Sequence, residues 1–128
     1  MSMTNYLENK ILNHIANNEA YVQPSELYVG LLTNLTNGEE GTATEVTGAG
    51  YERVRVSLGQ AENGIIKNDT DVEFAVAQES WGAINAVAIY DAVTGGNMLF
   101  HTNLSSSQQV GKNNQILFKS EKIEITLD

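Results

Sequence analysis

Trp81-Gly82-Ala83-Ile84-Asn85-Ala86-Val87-Ala88-Ile89-Tyr90-Asp91 is an apolar run rich in Ala, Val and Ile. It breaks at the turn residues Asp91-Ala92-Val93-Thr94-Gly95-Gly96-Asn97, and Met98-Leu99-Phe100-His101-Thr102-Asn103-Leu104 returns from it. Two strand-forming runs joined through Gly and Asn read as a β-hairpin. The first run is apolar at consecutive positions, which suits a strand buried in the middle of a sheet.

The same reading extends upstream. Leu27, Val29 and Leu31 alternate with Tyr28, Gly30 and Leu32, so both faces are apolar and a second central strand is expected. Tyr51 to Leu58 alternates cleanly, with Val54, Val56 and Leu58 inward and Tyr51, Arg53 and Arg55 outward. Val72, Phe74 and Val76 alternate, Ile116 and Phe118 form a short strand, and Ile123, Ile125 and Leu127 share a face of the last segment, Lys122 to Asp128. Residues 34–50, with Gly38, Gly41, Gly48, Gly50, Glu39, Glu40 and Glu45, read as a long loop, and residues 105–114 as a second. About seven or eight short strands with turn signals between them predict a mainly β chain, an antiparallel β-sandwich or jelly-roll-like domain.

The N-terminus has a different period. Met3, Leu7, Ile11 and Ile15 recur every four residues with Leu12 beside them, which predicts one α-helix. Asn5 and Glu8 fit a capping box, with Thr4 as the alternative cap, and Asn17-Asn18 close the helix. The apolar stripe is narrow, so a sheet or a partner must cover it. The organisation expected is a single domain over 1–128, with the helix in 1–20 and the sandwich in 26–128.

Charge and composition exclude several functions. The chain of 128 residues carries 16 acidic and 7 basic side chains, a net charge of −9, and no cysteine. Nucleic-acid binding needs a basic face to displace counterions from phosphate, and no Lys/Arg cluster exists. Nucleic acid and anionic membrane are therefore not expected partners. No apolar run approaches the roughly 20 residues that span a bilayer. Met1 to Tyr6 lacks a basic start and an apolar core, so no signal peptide is expected.

No constellation of catalytic, cofactor-binding or metal-ligating residues emerges. His14 lies among helix Asn residues and His101 in a strand, without a partner nearby in sequence. Gly48-Ala49-Gly50 precedes a strand and has Arg53 where a dinucleotide loop needs its third glycine, so it reads as a turn. Asp69, Asp71 and Glu73 alternate like calcium-loop oxygens, but the central glycine and the distal glutamate are missing, leaving a solvated strand edge. Trp81 reads as a plug at the end of a core, its indole N–H meeting a carbonyl, and Tyr6, Tyr21, Tyr28 and Tyr51 as core rim or interface anchors.

Several stretches in fixed order carry a resemblance. They are Thr4-Asn5-Tyr6-Leu7-Glu8-Asn9-Lys10-Ile11-Leu12, Leu27-Tyr28-Val29-Gly30-Leu31, Glu45-Val46-Thr47-Gly48-Ala49-Gly50-Tyr51-Glu52-Arg53 and Ser80-Trp81-Gly82-Ala83-Ile84. Ala88-Ile89-Tyr90-Asp91, Gly95-Gly96-Asn97-Met98-Leu99-Phe100 and the tail Ile123-Glu124-Ile125-Thr126-Leu127-Asp128 complete the set. Together they resemble the small bacteriophage virion proteins labelled tail fibre protein, over nearly the whole chain. The resemblance implies a non-enzymatic structural protein, made in the host cytoplasm and resident in the virion. Two roles follow, capsid decoration or cement, and tail-associated fibre or adaptor. The expected partners are other copies of the chain, in a closed ring of about three, and major capsid or tail proteins. The helix stripe and outward residues such as Leu32 would make those contacts. The alternative is a carbohydrate- or host-receptor-binding module using loops 34–50 and 105–114.

Overall fold

The computed structural model describes residues 1–127. The elements run β1 (Ser2–Met3), α1 (Asn5–Ala16), β2 (Leu27–Asn37), β3 (Thr42–Glu45), β4 (Val54–Val56), β5 (Ile65–Lys67), β6 (Val72–Glu73), β7 (Gly82–Tyr90), β8 (Met98–Val110), β9 (Leu117–Phe118) and β10 (Glu124–Thr126). The chain is mainly β with antiparallel pairing throughout and one N-terminal helix, as the patterning predicts.

The hairpin lies at the centre of the fold. β7 pairs with β8 on one side and β2 on the other, within a six-stranded sheet of order β1-β8-β7-β2-β3. β4 also pairs with β2, along Leu27 to Val29, while β3 takes the stretch from Leu32 to Asn37. Two short ribbons, β5 with β10 and β6 with β9, form the opposing layer of a sandwich. Val29, Leu31, Val87 and Ile89 from the sheet meet Val72, Phe74, Ile123 and Ile125 from the ribbons in the main core.

The other face of the sheet is dry too. Leu32, Ala86, Ala88, Tyr90 and Met98 form a second buried cluster, with Leu35 and Ala43 against it. This accounts for the doubly apolar pattern of β2 and β7. It also corrects the expectation for Leu32, which is fully buried and is no contact for a neighbour.

The small ribbons are tied together by Asn68. Its side chain is fully buried, accepts from Ile123 N (2.8 Å), and donates to Thr70 O (2.8 Å) and Lys119 O (3.0 Å). A buried amide is retained here because it satisfies three backbone groups that no strand reaches.

Three expectations need correction. Residues 34–50 are about half strand, since β2 continues to Asn37 and β3 follows after a short turn. Polar residues such as Thr42 and Thr44 are solvent-facing positions of that hairpin. Residues 105–110 likewise continue β8, where Gln108, Gln109 and Val110 pair with β7 and hold a polar sequence in the sheet. In the third case, Tyr51 and Arg53 precede β4 instead of alternating within it, and neither is outward. Tyr51 packs on the main core and Arg53 is 9% exposed. Of the final face, Ile123 and Ile125 are buried, Leu127 is exposed, and Asp128 lies outside the described residues.

The helix start is decided by tertiary contacts. Thr4 is the cap: its hydroxyl accepts from Leu7 N (3.4 Å) and donates to Met98 O (2.8 Å). Its own N–H donates to Leu99 O (3.0 Å). Asn5 is one residue too late to cap, and its amide instead donates to Glu40 Oε1 at 2.6 Å. Thr4→Ala removes the cap and the link to β8 together, so a loss of about 2 kcal/mol is expected, at the upper end for caps. Chemical denaturation of the variant measures it. At the other end Asn18, at φ 53°, turns the chain so that Glu19 N–H meets Asn13 O (3.2 Å).

Candidate functional site

The sheet covers only the first turn of α1. Leu7 is its one buried residue among the described side chains of the helix, and Met3 and Ile11 are half-buried. Leu12 is 61% and Ile15 76% exposed. The apolar stripe therefore runs off the edge of the fold and is not used up in it. Beside it, Met1, Met3, Ile11, Leu12 and Leu127 line a groove of about 510 Å³, rimmed by Glu8 and Glu39. Single exposed apolar residues are ordinary, but a contiguous apolar patch with a polar rim marks an interaction surface.

A polar hub on the far face of the sheet holds loop 92–95. Arg53 makes a bidentate pair with Glu45, Nε to Oε2 at 2.8 Å and Nη2 to Oε1 at 2.9 Å. Its Nη1 donates to Ala92 O and Gly95 O, both at 2.8 Å, and the guanidinium lies 3.5 Å from the Tyr90 ring centroid. The Tyr51 hydroxyl donates to Glu45 Oε2 and accepts from Leu31 N. Burial, reinforced by the bond to Glu45, pushes the Tyr51 hydroxyl far above the usual tyrosine range. Burial opposes the Arg53 charge, but the Glu45 carboxylate outweighs it and keeps the guanidinium ionised. Arg53, Glu45 and Tyr51 engage one another and the Tyr90 ring, so the hub clamps loop 92–95 to the sheet. Alternation in the sequence put Arg53 on the face opposite Val54 and Val56 and read that face as outward. It missed that the opposite face carries Tyr90 and Glu45 in place of water.

The other singled-out residues separate. His14 is exposed at the end of α1, its Nδ1 3.1 Å from Glu19 O. His101 packs beneath Gly38 in the β2–β3 turn, where an added Cβ would sit 2.3 Å from the ring. Its Nε2 is buried without a hydrogen-bond partner, 3.8 Å from Glu39 Oε1. Burial, only partly offset by Glu39, lowers its pKa from the ordinary histidine value. Asp71 accepts from Ser120 N (2.7 Å) and Glu73 from Gln115 Nε2 (3.0 Å), so these acids fasten β6 to the segment 115–120. Three metal-ligating side chains do not converge anywhere among the described residues.

Trp81 is 4% exposed and donates from Nε1 to Ala49 O at 3.0 Å, the plug with a carbonyl partner that its position predicted. Gly48 closes against its ring, and Gly50, at φ 86°, makes the turn expected of Gly48-Ala49-Gly50. Tyr6 is the only exposed Phe, Tyr or Trp among the described residues, and it lies on α1 next to Asn5, whose backbone and side chain meet Glu39 and Glu40.

Comparison with known proteins agrees with this picture of a scaffold. No curated protein matches the chain. A family model described as podophage GP4 fiber I protein gp80 matches residues 2–126, nearly the full length. No helix among the described residues is long and apolar enough to cross a membrane. The chain thus belongs to this family of phage fibre proteins, and it is a tail-fibre-type structural protein of the virion.

Proposed function

We propose that the protein is a non-enzymatic, tail-associated fibre or adaptor component that docks through the open groove beside α1 and assembles with copies of itself. The observation that carries the docking is the exposed continuation of the helix stripe, Leu12 and Ile15, next to Met1, Met3, Ile11 and Leu127. The partner of the groove is another structural protein of the particle. Family membership supports the setting, and the self-engaged hub around Arg53 supports a scaffold over a catalyst. Burial of Trp81 and the lack of exposed aromatics on residues 34–50 and 105–114 weigh against the carbohydrate-binding alternative.

Gold-labelled antibody on intact particles tests the position. Label at the tail supports the reading, and label over the head shell would replace it with capsid decoration. Leu12→Asp with Ile15→Asp tests the surface. Both side chains are exposed, so the melting temperature should hardly move. Burial of one such side chain is worth about 1.5–3 kcal/mol, so incorporation into particles should fall at least tenfold. Quantitative blotting of purified particles from a complementation assay reads this, and unchanged incorporation removes the groove from the interface.

A further inference from the structure

β8 extends from Met98 to Val110, yet β1 pairs only with Phe100 and His101 along its outer side. From Thr102 to Val110 the main sheet therefore ends in an edge with no strand beside it among the described residues. Because Thr102 pairs with Val87 and Val110 with Gly82, this edge spans about 17 Å at the usual strand rise. Proteins guard such edges with charges, proline or bulges, because unpaired N–H and C=O groups template another strand. Residues 92–111 contain no Asp, Glu, Lys, Arg or Pro, in a chain with 16 acidic and 7 basic side chains.

One bulge interrupts the edge. Ile84 pairs with Gln108 and Ala86 with Asn103, so residues 104–107 stand opposite Asn85 alone. On either side of it Thr102-Asn103 and Gln108-Gln109-Val110 keep regular register with β7. A hollow of about 220 Å³ lies alongside, lined by Leu104, Ser106 and Gln108 from β8 and by Ile116, Leu117 and Phe118 from the ribbon layer.

We propose that a second copy of this chain occupies this edge, with its own β8 antiparallel to the first. Charge selects the occupant. Two copies at net −9 repel each other, and this uncharged strand is where they approach at least cost. A basic partner would instead seek the carboxylate-bearing surfaces. Antiparallel pairing of identical strands is self-complementary about a two-fold axis. With the bulges at the axis, Asn103 of each copy faces Gln109 of the other on the same side of the sheet, and neutral amides and hydroxyls exchange hydrogen bonds. Leu104 and the exposed Leu117 add apolar area at the flank. The inference rests on the self-association proposed above and names its surface. It predicts an even number of copies, in place of the ring of three expected from the sequence.

The test uses the full chain in sedimentation and light scattering over a wide concentration range. The wild type should form a dimer. Asn103→Lys with Gln109→Lys sets lysines opposite each other twice across the axis and should weaken association about a hundredfold. Both positions are exposed, and an unchanged melt confirms the fold. Because the chain has no cysteine, Ser106→Cys offers a second readout. It should form a disulfide-linked dimer under mild oxidation much faster than Ala61→Cys, at an exposed turn. A monomeric wild type at every concentration overturns both self-association and the edge. Association unaffected by the lysines, or equal cross-linking at both cysteines, overturns the edge alone and leaves self-association standing.

Discussion

Arg53→Ala is expected to lower the stability of the protein by about 3 kcal/mol. The side chain is 7% exposed and Glu45 25%, so the removed charge leaves a carboxylate that water reaches only in part. Breaking a buried pair from one side costs about 3–5 kcal/mol, and the partial exposure of Glu45 places this one at the lower end. The carbonyls of Ala92 and Gly95 lose their donor as well, and the face of Tyr90 loses its cation. A loss of that size should drop the melting temperature by roughly 10 °C for a chain of this length. A double-mutant cycle separates the pair from general disruption. Glu45→Ala should cost far less when Arg53 is already alanine, with a coupling of at least about 1.5 kcal/mol. Additivity within about 0.5 kcal/mol would show that the two residues do not act as a unit. The coupling should survive high salt, since a pair this enclosed is weakly screened.

Trp81→Ala is expected to cost about 3–5 kcal/mol, the usual range for removing a large buried aromatic. The indole meets the Tyr51 ring edge-on at a centroid distance of 5.5 Å and lies against Gly48. Its loss opens a cavity at the end of the core and leaves Ala49 O without its donor. Trp81→Phe should recover most of the packing but not the hydrogen bond, for a net cost of about 1–2 kcal/mol. Denaturant titration followed by circular dichroism orders the three proteins. If Phe proves as costly as Ala, the hydrogen bond and not the packed ring dominates at this site. Trp81 is the only tryptophan, so its fluorescence in the wild type also reports directly on this end of the core.

Much of the fold follows from local pattern. Consecutive apolar residues in Ala83 to Tyr90 and the double apolar face of Leu27 to Leu32 forced both segments into the middle of a sheet, because no other place hides two faces. The turn at Gly95-Gly96 needs positive φ at both glycines, 62° and 70°, which few other residues adopt. The four-residue period of Leu7, Ile11 and Ile15 set the helix apart from the rest. Trp81 was legible as a core plug from its place before an apolar strand.

The polar strands were not legible in the same way. Gln108, Gln109 and Thr42 to Thr44 show too few apolar residues around them to reveal a period, and only backbone pairing to β7 and β2 holds them extended. The helix cap could not be chosen between Thr4 and Asn5 until Met98 and Leu99 were seen to fix Thr4 from β8.

Sequence alone determined the class of this protein: a β-rich scaffold with one helix, acidic, with motifs that resemble phage fibre proteins. Those properties reside in patterns a few residues long and in the net charge. Tertiary structure alone decided which surfaces are covered and which stay open. It buried Arg53 against Glu45, turned Leu32 inward, and left Leu12, Ile15 and the outer side of β8 uncovered. The physical reason is that exposure depends on what the chain brings from far away in sequence. Alternation says which way a side chain points, but not whether water or another part of the chain waits there.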